Sequence, residues 1–207
     1  MKTNVYVDGF NLYYGCIRHT PYHWLNLAEL CRLMLPRDRI NQIKYFTALV
    51  APRPHDPDQR NRQLTYLRAL KTVPNLTIVL GSFLTHEVRL PLADPPSGQR
   101  ELVRVIQTKE KGSDVNLATH LLFDAFRNEY DVAAIVSNDS DLLAPIRIVK
   151  DEFGKDVGIL NPHRHPSLEL RQYATFIKRI RKGVLAQSQF PPTLTDAHGT
   201  FHKPPSW

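Results

Sequence analysis

The segment Val5-Tyr6-Val7-Asp8 places a short apolar strand directly before a carboxylate, near the start of the 207-residue chain. The segment Ala133-Ala134-Ile135-Val136 repeats this pattern, because Asp139 and Asp141 follow it closely. Uniformly apolar strands are typical of a parallel sheet covered on both faces. The carboxyl ends of such strands share one edge, which is where ligands bind. We therefore expect an α/β fold with aspartates along one edge of its sheet.

Hydrophobic periodicity extends this strand–helix alternation along the chain. It predicts strands at 4–7, 43–50, 76–80, 132–136 and 157–160, and helices at 25–35, 58–70, 115–126, 142–152 and 167–173. Alternation of this kind indicates a parallel sheet with helices on both faces.

Two segments depart from the alternation. Residues 83–108 carry Pro91, Pro95-Pro96 and Ser97-Gly98 between β-like pieces, which predicts an inserted hairpin or flap. Residues 184–207 are rich in Pro, Thr and His and lack periodicity, which predicts a flexible tail. We expect one domain over residues 1–183, with the hairpin inserted in it.

Four carboxylates are the candidate catalytic and metal-binding residues: Asp8, Asp114, Asp139 and Asp141. Asp114 opens the predicted helix at 115–126, and the other three follow strands. Like charges resist joint ionisation, so a cluster of this kind favours a bound cation. Hard oxygen ligands suit Mg²⁺ or Mn²⁺. The cluster predicts a metal-dependent phosphodiesterase.

Each aspartate taken singly also fits a local structural role. Asp8 precedes Gly9 and could be a turn residue. Asp114 could lie in the first turn of a helix, where the macrodipole favours negative charge. Asp139 or Ser140 could be the N-cap of the helix that begins near Leu142, with Asp141 in its first turn. These roles do not explain why carboxylates occur together at one edge of the sheet.

The net charge of +7 contrasts with the acidic cluster and indicates a polyanionic partner. A nucleic acid is the expected partner, and the charge leaves both RNA and DNA open. The cations fall in two runs: Arg53, Arg60, Arg62, Arg68 and Lys71 in the first, and Lys178, Arg179, Arg181 and Lys182 in the second.

The chain has no apolar run near the ~20 residues that cross a bilayer, and no signal-peptide pattern at its start. Cys16 and Cys31 lie far apart, and we expect two reduced, buried thiols. These features predict a cytoplasmic protein with no membrane partner. The oligomeric state stays open, with a homodimer among the alternatives.

Three motifs follow one another around the four aspartates. The first is Val5-Tyr6-Val7-Asp8-Gly9-Phe10-Asn11-Leu12, and the second is Lys109-Glu110-Lys111-Gly112-Ser113-Asp114-Val115. The third is Ile135-Val136-Ser137-Asn138-Asp139-Ser140-Asp141-Leu142. In this order they resemble the motifs of the NYN domain, a branch of the PIN-like nuclease superfamily, and the LabA/DUF88-like group in particular. The resemblance runs from about Asn4 to Ile180.

The resemblance implies a PIN-like three-layer sandwich, with a central, mostly parallel β-sheet flanked by helices. It also implies ribonuclease activity that depends on Mg²⁺ or Mn²⁺, carried by the four aspartates. Asn11 matches the motif asparagine beside the acidic cluster. Asn138 departs from the usual small residue and adds an amide near the site.

Further residues are expected to contact substrate. Asn11 and Ser137 could hydrogen-bond a phosphate or fix a carboxylate, and Lys109 and Lys111 could hold a phosphate as point charges. The alternative function is a non-catalytic RNA-binding or regulatory protein that keeps the fold. A haloacid-dehalogenase-type phosphohydrolase needs a second aspartate two positions after the first, where this chain has Phe10.

Overall fold

A computed structural model of the protein describes residues 1–52, 56–95 and 102–207. Ten strands occur in these residues: β1 (Lys2–Asp8), β2 (Arg39–Thr47), β3 (Leu76–Leu80), β4 (Ser82–Pro91), β5 (Leu102–Lys111), β6 (Val132–Val136), β7 (Asp156–Asn161), β8 (Phe176–Arg179), β9 (Thr193–Asp196) and β10 (Gly199–His202).

Seven α-helices occur in the same residues: α1 (Gly9–Leu12), α2 (Leu27–Met34), α3 (Gln59–Lys71), α4 (Ser113–Phe126), α5 (Leu143–Asp151), α6 (Leu168–Tyr173) and α7 (Lys182–Gln187). A π-helical turn, Tyr13–Ile17, continues α1, and a 3₁₀ turn, Ser140–Leu142, precedes α5. The periodicity predicted all of the longer helices; the π-helical turn was not predicted.

Six strands form the central sheet, in the order β3-β2-β1-β6-β7-β8, and every neighbouring pair is parallel. This arrangement confirms the predicted α/β fold with a parallel sheet flanked by helices. The strands β1 and β6 are neighbours at the centre, with Val7 opposite Val136. Their carboxyl ends therefore place Asp8 and the loop after Val136 side by side.

The apolar strands alternate their side chains between two hydrophobic clusters. Val5 and Val7 face one cluster with residues of α2, α3 and α7, while Tyr6 faces the other with residues of α4, α5 and α6. Burial on both faces explains why these strands read as continuous apolar runs. The result is three layers, helices–sheet–helices.

The strands β4 and β5 form a separate antiparallel ribbon, in the segment predicted as a hairpin. Its register pairs Ser82 with Lys111 and Pro91 with Leu102. Of the predicted turn, Pro96, Ser97 and Gly98 lie outside the described residues, as does Arg53 of the first basic run. The ribbon leads directly into α4, so it borders the Asp114 end of that helix.

The segment 184–207, predicted as a flexible tail, instead packs on the core. Trp24 is fully buried, and its indole Nε1 donates a hydrogen bond to the Pro191 carbonyl at 2.8 Å. Phe190 and Phe201 pack their rings on Trp24 at centroid distances of 5.9 and 6.4 Å. These apolar contacts are made by residues too scattered in sequence to give a periodic signal, which is why composition alone was misleading.

Of the helices in the described parts of the chain, none is both long and apolar enough to cross a bilayer.

The two cysteines, Cys16 and Cys31, are unpaired, as expected. Cys31 is buried and Cys16 is half-buried. Burial raises the pKa of both thiols to about 12, so both are unreactive as nucleophiles at neutral pH.

Candidate functional site

Asp8 is the buried centre of a hydrogen-bond network at the carboxyl edge of the sheet. Its side chain is 4% exposed. The Oδ1 atom accepts a hydrogen bond from the backbone N–H of Asn11 at 2.9 Å, which caps α1. The Oδ2 atom accepts from the Ser137 hydroxyl at 3.0 Å. Asp8 therefore caps α1, where the sequence suggested a turn residue, and also joins the β1 and β6 ends.

The loop after β6 holds the next two carboxylates. The backbone N–H of Asp139 donates to the Ser137 hydroxyl at 3.1 Å, and the backbone N–H of Asp141 donates to Asp139 Oδ1 at 3.0 Å. Asp139 is thus the N-cap of the 3₁₀ turn, as the capping alternative proposed. One Ser137 hydroxyl contacts both acidic segments, so it fixes their relative position.

Asn11 joins three loops at the same edge. Its Oδ1 accepts a hydrogen bond from the backbone N–H of Asn138 at 3.0 Å and lies 3.1 Å from Nε2 of His163. His163 follows β7, so Asn11 links the ends of β1, β6 and β7. The Asn138 side chain contacts the loop after β7. Its amide nitrogen donates a hydrogen bond to the His165 carbonyl, and its amide oxygen accepts one from the Ser167 N–H. Asn138 therefore braces this loop, and its expected contact with substrate stays a prediction.

Asp114 reaches the site from the first turn of α4. Gly112 precedes this helix with φ +98°, a left-handed conformation that glycine adopts without strain. Glu110 accepts hydrogen bonds from the backbone N–H and the hydroxyl of Ser113, at 3.0 and 2.8 Å, and so fixes the start of α4. The ribbon and the helix together set where Asp114 lies.

The acidic residues act on one another electrostatically. Desolvation by burial raises the pKa of Asp8, and its hydrogen bonds with Asn11 and Ser137 oppose that effect. Desolvation against the cavity wall, followed by the charges of Asp8, Asp139, Glu110 and Asp141, raises the pKa of Asp114 to about 6. Mutual repulsion of this kind is the property expected of carboxylates that share a cation.

One cavity of about 620 Å³ brings Asp8, Asp114 and Asp139 together with Asn11 and Glu110. In the described residues, no group of three or more His, Cys, Asp or Glu side chains is close enough to hold a metal ion alone. Mg²⁺ usually keeps several waters and takes only one or two carboxylates, with substrate phosphates completing its shell. The open acidic cavity fits that mode of binding and does not fit an all-protein cage.

Lys109 and Lys111 are not brought into this cavity. Thr108 and Glu110 line it, and side chains alternate between the two faces of a strand, so both lysines project from the opposite face of β5. Asp141 is exposed beside the cavity and acts on Asp114 through its charge.

The other end of the cavity is aromatic. Tyr45 adjoins the acidic end, since a side chain at Gly9, next to Asp8, would meet its Oη at 2.8 Å, and its ring packs edge-on against Tyr66 at 6.3 Å. Tyr66 contacts Trp207 at 6.0 Å, and Trp207 stacks on His23 at 5.4 Å. The chain of rings continues to Tyr13 and Tyr14, which also line the cavity.

Sequence reasoning did not assign Glu110, His163 or the aromatic residues to the site. Glu110 lies inside a recognised motif, and the strand alternation places it on the cavity face in preference to the neighbouring lysines. His163 has no Cys or carboxylate metal-ligand partner close by in the sequence, and its contact with Asn11 depends on how the loop after β7 folds back. No local pattern could place Trp207 beside Tyr66.

Three comparisons describe what this chain is similar to. A family profile described as the NYN domain matches residues 2–185. The chain is 29% identical over 237 residues to the 6-hydroxy-3-succinoylpyridine 3-monooxygenase HspA of Pseudomonas putida, an alignment that covers 100% of this chain and 75% of the relative.

Among solved structures, the fold resembles that of a protein of unknown function from Vibrio parahaemolyticus RIMD 2210633. The TM-score is 0.59 at 18% sequence identity, with 91% of this chain and 96% of the other covered. At this identity, the likeness concerns the fold alone.

Proposed function

The chain belongs to the NYN domain family, which has a nuclease-like fold, and from that premise we propose that it is a metal-dependent ribonuclease. The observation that carries the proposal is the shared cavity of Asp8, Asp114 and Asp139 at the carboxyl edge of the sheet. The pKa of Asp114, which burial raises first and the neighbouring carboxylates raise further, supports the proposal, because a bound cation would relieve the repulsion between these charges.

The residues have distinct roles in this proposal. Asp8 and Asp139 at the sheet edge and Asp114 on α4 would hold Mg²⁺ or Mn²⁺, one or two of them directly and the remainder through bound waters. Asp141, which is exposed beside them, would orient a water or complete the shell. The bound ion would lower the pKa of a water and stabilise negative charge on the phosphate.

The other polar residues hold this arrangement in place. Ser137 fixes Asp8 relative to Asp139, and Asn11 ties the Asp8 turn to the loops after β6 and β7. Such supporting contacts orient the ligands, and the loss of one typically lowers metal affinity or activity about 10–100-fold.

The exposed basic residues support RNA as the substrate. Four cations of the second basic run, Lys178, Arg179, Arg181 and Lys182, are exposed. An exposed basic surface on a protein of net charge +7 is suited to RNA phosphates at several points. We also propose a cytoplasmic location, where two unpaired thiols stay reduced.

The direct test is cleavage of end-labelled single-stranded RNA with Mg²⁺ or Mn²⁺, with and without EDTA. We expect Asp139→Asn to lower cleavage more than ~100-fold, above the loss typical of a supporting residue. Asp151→Asn is the matched control, because Asp151 is exposed at the far end of α5. RNA that binds in a salt-sensitive way without turnover would support the non-catalytic alternative, and cleavage that survives Asp139→Asn would exclude this site.

A second candidate is oxygenation of a hydroxypyridine, because the Pseudomonas relative carries that activity in its name. The aromatic end of the cavity favours it, since flat rings pack well against Tyr and Trp side chains. This reaction needs O₂ and an electron donor. The test is incubation of 6-hydroxy-3-succinoylpyridine with the protein, O₂ and NADH, with gain of one oxygen atom followed by mass spectrometry.

A further inference from the structure

The cavity has two chemically different ends that meet at one residue. The Tyr45 hydroxyl end lies close to Asp8: a side chain at Gly9 would meet Tyr45 Oη at 2.8 Å, and the Asp8 charge acts on this phenol. The Tyr45 ring packs on Tyr66, which begins the aromatic end. A ligand at the acidic end can therefore extend directly onto aromatic side chains.

The aromatic end is open to solvent and is not simply part of the core. Tyr14 is 54% exposed and Tyr13 is 36% exposed, although both line the cavity. Exposed aromatic side chains beside a charged centre are a stacking surface for bases, because every base has a flat π-face. The cavity volume of about 620 Å³ falls within the usual range for small-ligand sites.

The aromatic end also has polar atoms that can form hydrogen bonds with the edge of a bound base. Gln59 lines the cavity, and its Oε1 is buried without a hydrogen-bond partner in the part of the chain that the structure describes. A buried acceptor of this kind is costly unless something donates to it. Arg62 and Asp56 form an ion pair of 2.5 Å on the same wall and supply both donors and acceptors.

We propose that the aromatic end is a nucleobase subsite, which binds one unstacked base of RNA while a neighbouring phosphate lies at the acidic end. The inference rests on the proposed ribonuclease function and narrows its substrate class. A base must leave its stack to enter the subsite, so the substrate is single-stranded RNA or an unpaired loop.

The test uses short fluorescein-labelled single-stranded RNAs in which one position at a time carries an abasic ribose. Binding is measured by fluorescence anisotropy and cleavage by gel, both with the full chain. We expect one abasic position to weaken binding and to lower cleavage about 10–100-fold, the range that stacking of one base produces.

Two variants assign the effect to the cavity. Tyr14→Leu removes the flat ring and keeps an apolar side chain, and it should abolish the difference between intact and abasic RNA. Tyr14→Phe keeps the ring and should retain the difference. Phe126→Leu is the matched control, because Phe126 is 74% exposed on α4 and lies outside the cavity. Thermal melting checks that all three variants fold.

The outcomes separate this proposal from the proposed function. Cleavage that is equal with and without a base at every position would overturn the subsite and leave the ribonuclease standing. Base-dependent binding that Tyr14→Leu removes, with no cleavage, would support the subsite and overturn the ribonuclease. Absence of RNA binding would overturn both.

Discussion

The Ser137 hydroxyl lies 3.0 Å from Oδ2 of Asp8 and donates a hydrogen bond to it, which joins the ends of the two central strands β1 and β6. The same hydroxyl accepts from the backbone N–H of Asp139 at 3.1 Å. Ser137 is fully buried, so these contacts are shielded from water. Strand pairing brings the two acidic segments together, and Ser137 links their side chain and backbone directly.

We expect Ser137→Ala to raise the Mg²⁺ concentration needed for half-maximal cleavage about tenfold, within the 10–100-fold range for supporting residues. The change removes a donor to Asp8 and leaves the Asp139 N–H without its acceptor, which should also lower the free energy of unfolding by about 1–3 kcal/mol. Ser140→Ala, an exposed change in the next turn, is the control. An unchanged Mg²⁺ titration for Ser137→Ala would show that the serine does not position the carboxylates.

Metal affinity should fall as the pH drops through about 6. The pKa of Asp114 is raised to about 6, so below that pH the carboxyl is protonated and a cation must displace the proton to bind. Asp8 acts in the same direction, because its pKa is raised too. Mn²⁺ binding measured calorimetrically from pH 5 to 8 should weaken toward the acid end, and Asp114→Asn should flatten that profile.

The metal-free protein should show the opposite trend in stability. A carboxyl whose folded pKa is raised from 3.8 to about 6 holds its proton more tightly when folded. Its contribution to the free energy of unfolding is therefore greatest at low pH and is lost as the pH rises from about 4 to 6. At pH 7.5, Asp114→Asn should raise the melting temperature of the metal-free protein, whereas Asp151→Asn should not.

A buried ion pair supports the helix that carries Asp114. Lys44 Nζ lies 2.6 Å from Asp124 Oδ2, and the Tyr6 hydroxyl donates to the same carboxylate at 2.7 Å. We expect Asp124→Ala to lower the free energy of unfolding by about 3–5 kcal/mol, because it leaves the buried Lys44 ammonium unpaired. Denaturant unfolding measures this loss.

The double variant Lys44→Met with Asp124→Leu tests whether the unpaired Lys44 charge causes this loss of stability. It removes both charges, so it should recover most of the stability that Asp124→Ala loses. Glu29→Ala breaks the exposed pair with Arg32 and should shift the unfolding midpoint only slightly. A double variant as unstable as Asp124→Ala would show that packing, not the unpaired charge, causes the loss.

Arg68 holds the β9–β10 hairpin against α3. Its guanidinium makes two hydrogen bonds of 2.7 Å to the Asp196 carboxylate and lies 4.2 Å from the centre of the Phe201 ring. We expect Arg68→Ala to speed amide hydrogen exchange in residues 193–202, because both contacts are lost. Arg68→Lys should restore little, since an ammonium cannot form the paired hydrogen bonds.

Arg60→Ala on the same helix is the matched control for exchange, because Arg60 is exposed. If amide exchange in the hairpin is as slow in the Arg68→Ala variant as in the unchanged protein, apolar contacts on Trp24 alone hold the segment.

The sequence predicted the strands that carry the site because their signal is local. Val5 and Val7 are buried on one face of the sheet and Tyr6 on the other, and burial on both faces needs an apolar run. The carboxylates after β1 and β6 follow from the same pattern, and parallel pairing brings them to one edge. The helix bounds were also close, with 58–70 predicted for α3 at Gln59–Lys71.

The orientation of the second motif was harder to predict. Lys109 and Lys111 were expected at the phosphate, yet Glu110 lines the cavity. Motif matching fixes which residues are near the site, whereas the face each side chain takes depends on the register of the ribbon. That register is set by the pairing of β5 with β4, in which Glu110 lies opposite Phe83 and Lys109 opposite Leu84.

The sequence by itself determined the parallel α/β fold, the acidic edge and the family, because strand burial and motif spacing are properties of short segments. Only the tertiary structure decided that the C-terminal segment packs on Trp24, that His163 meets Asn11, and that Trp207 meets Tyr66. These contacts join residues distant in sequence, and their free energy comes from burying surfaces that have no local pattern. The aromatic end of the cavity is therefore a product of packing alone.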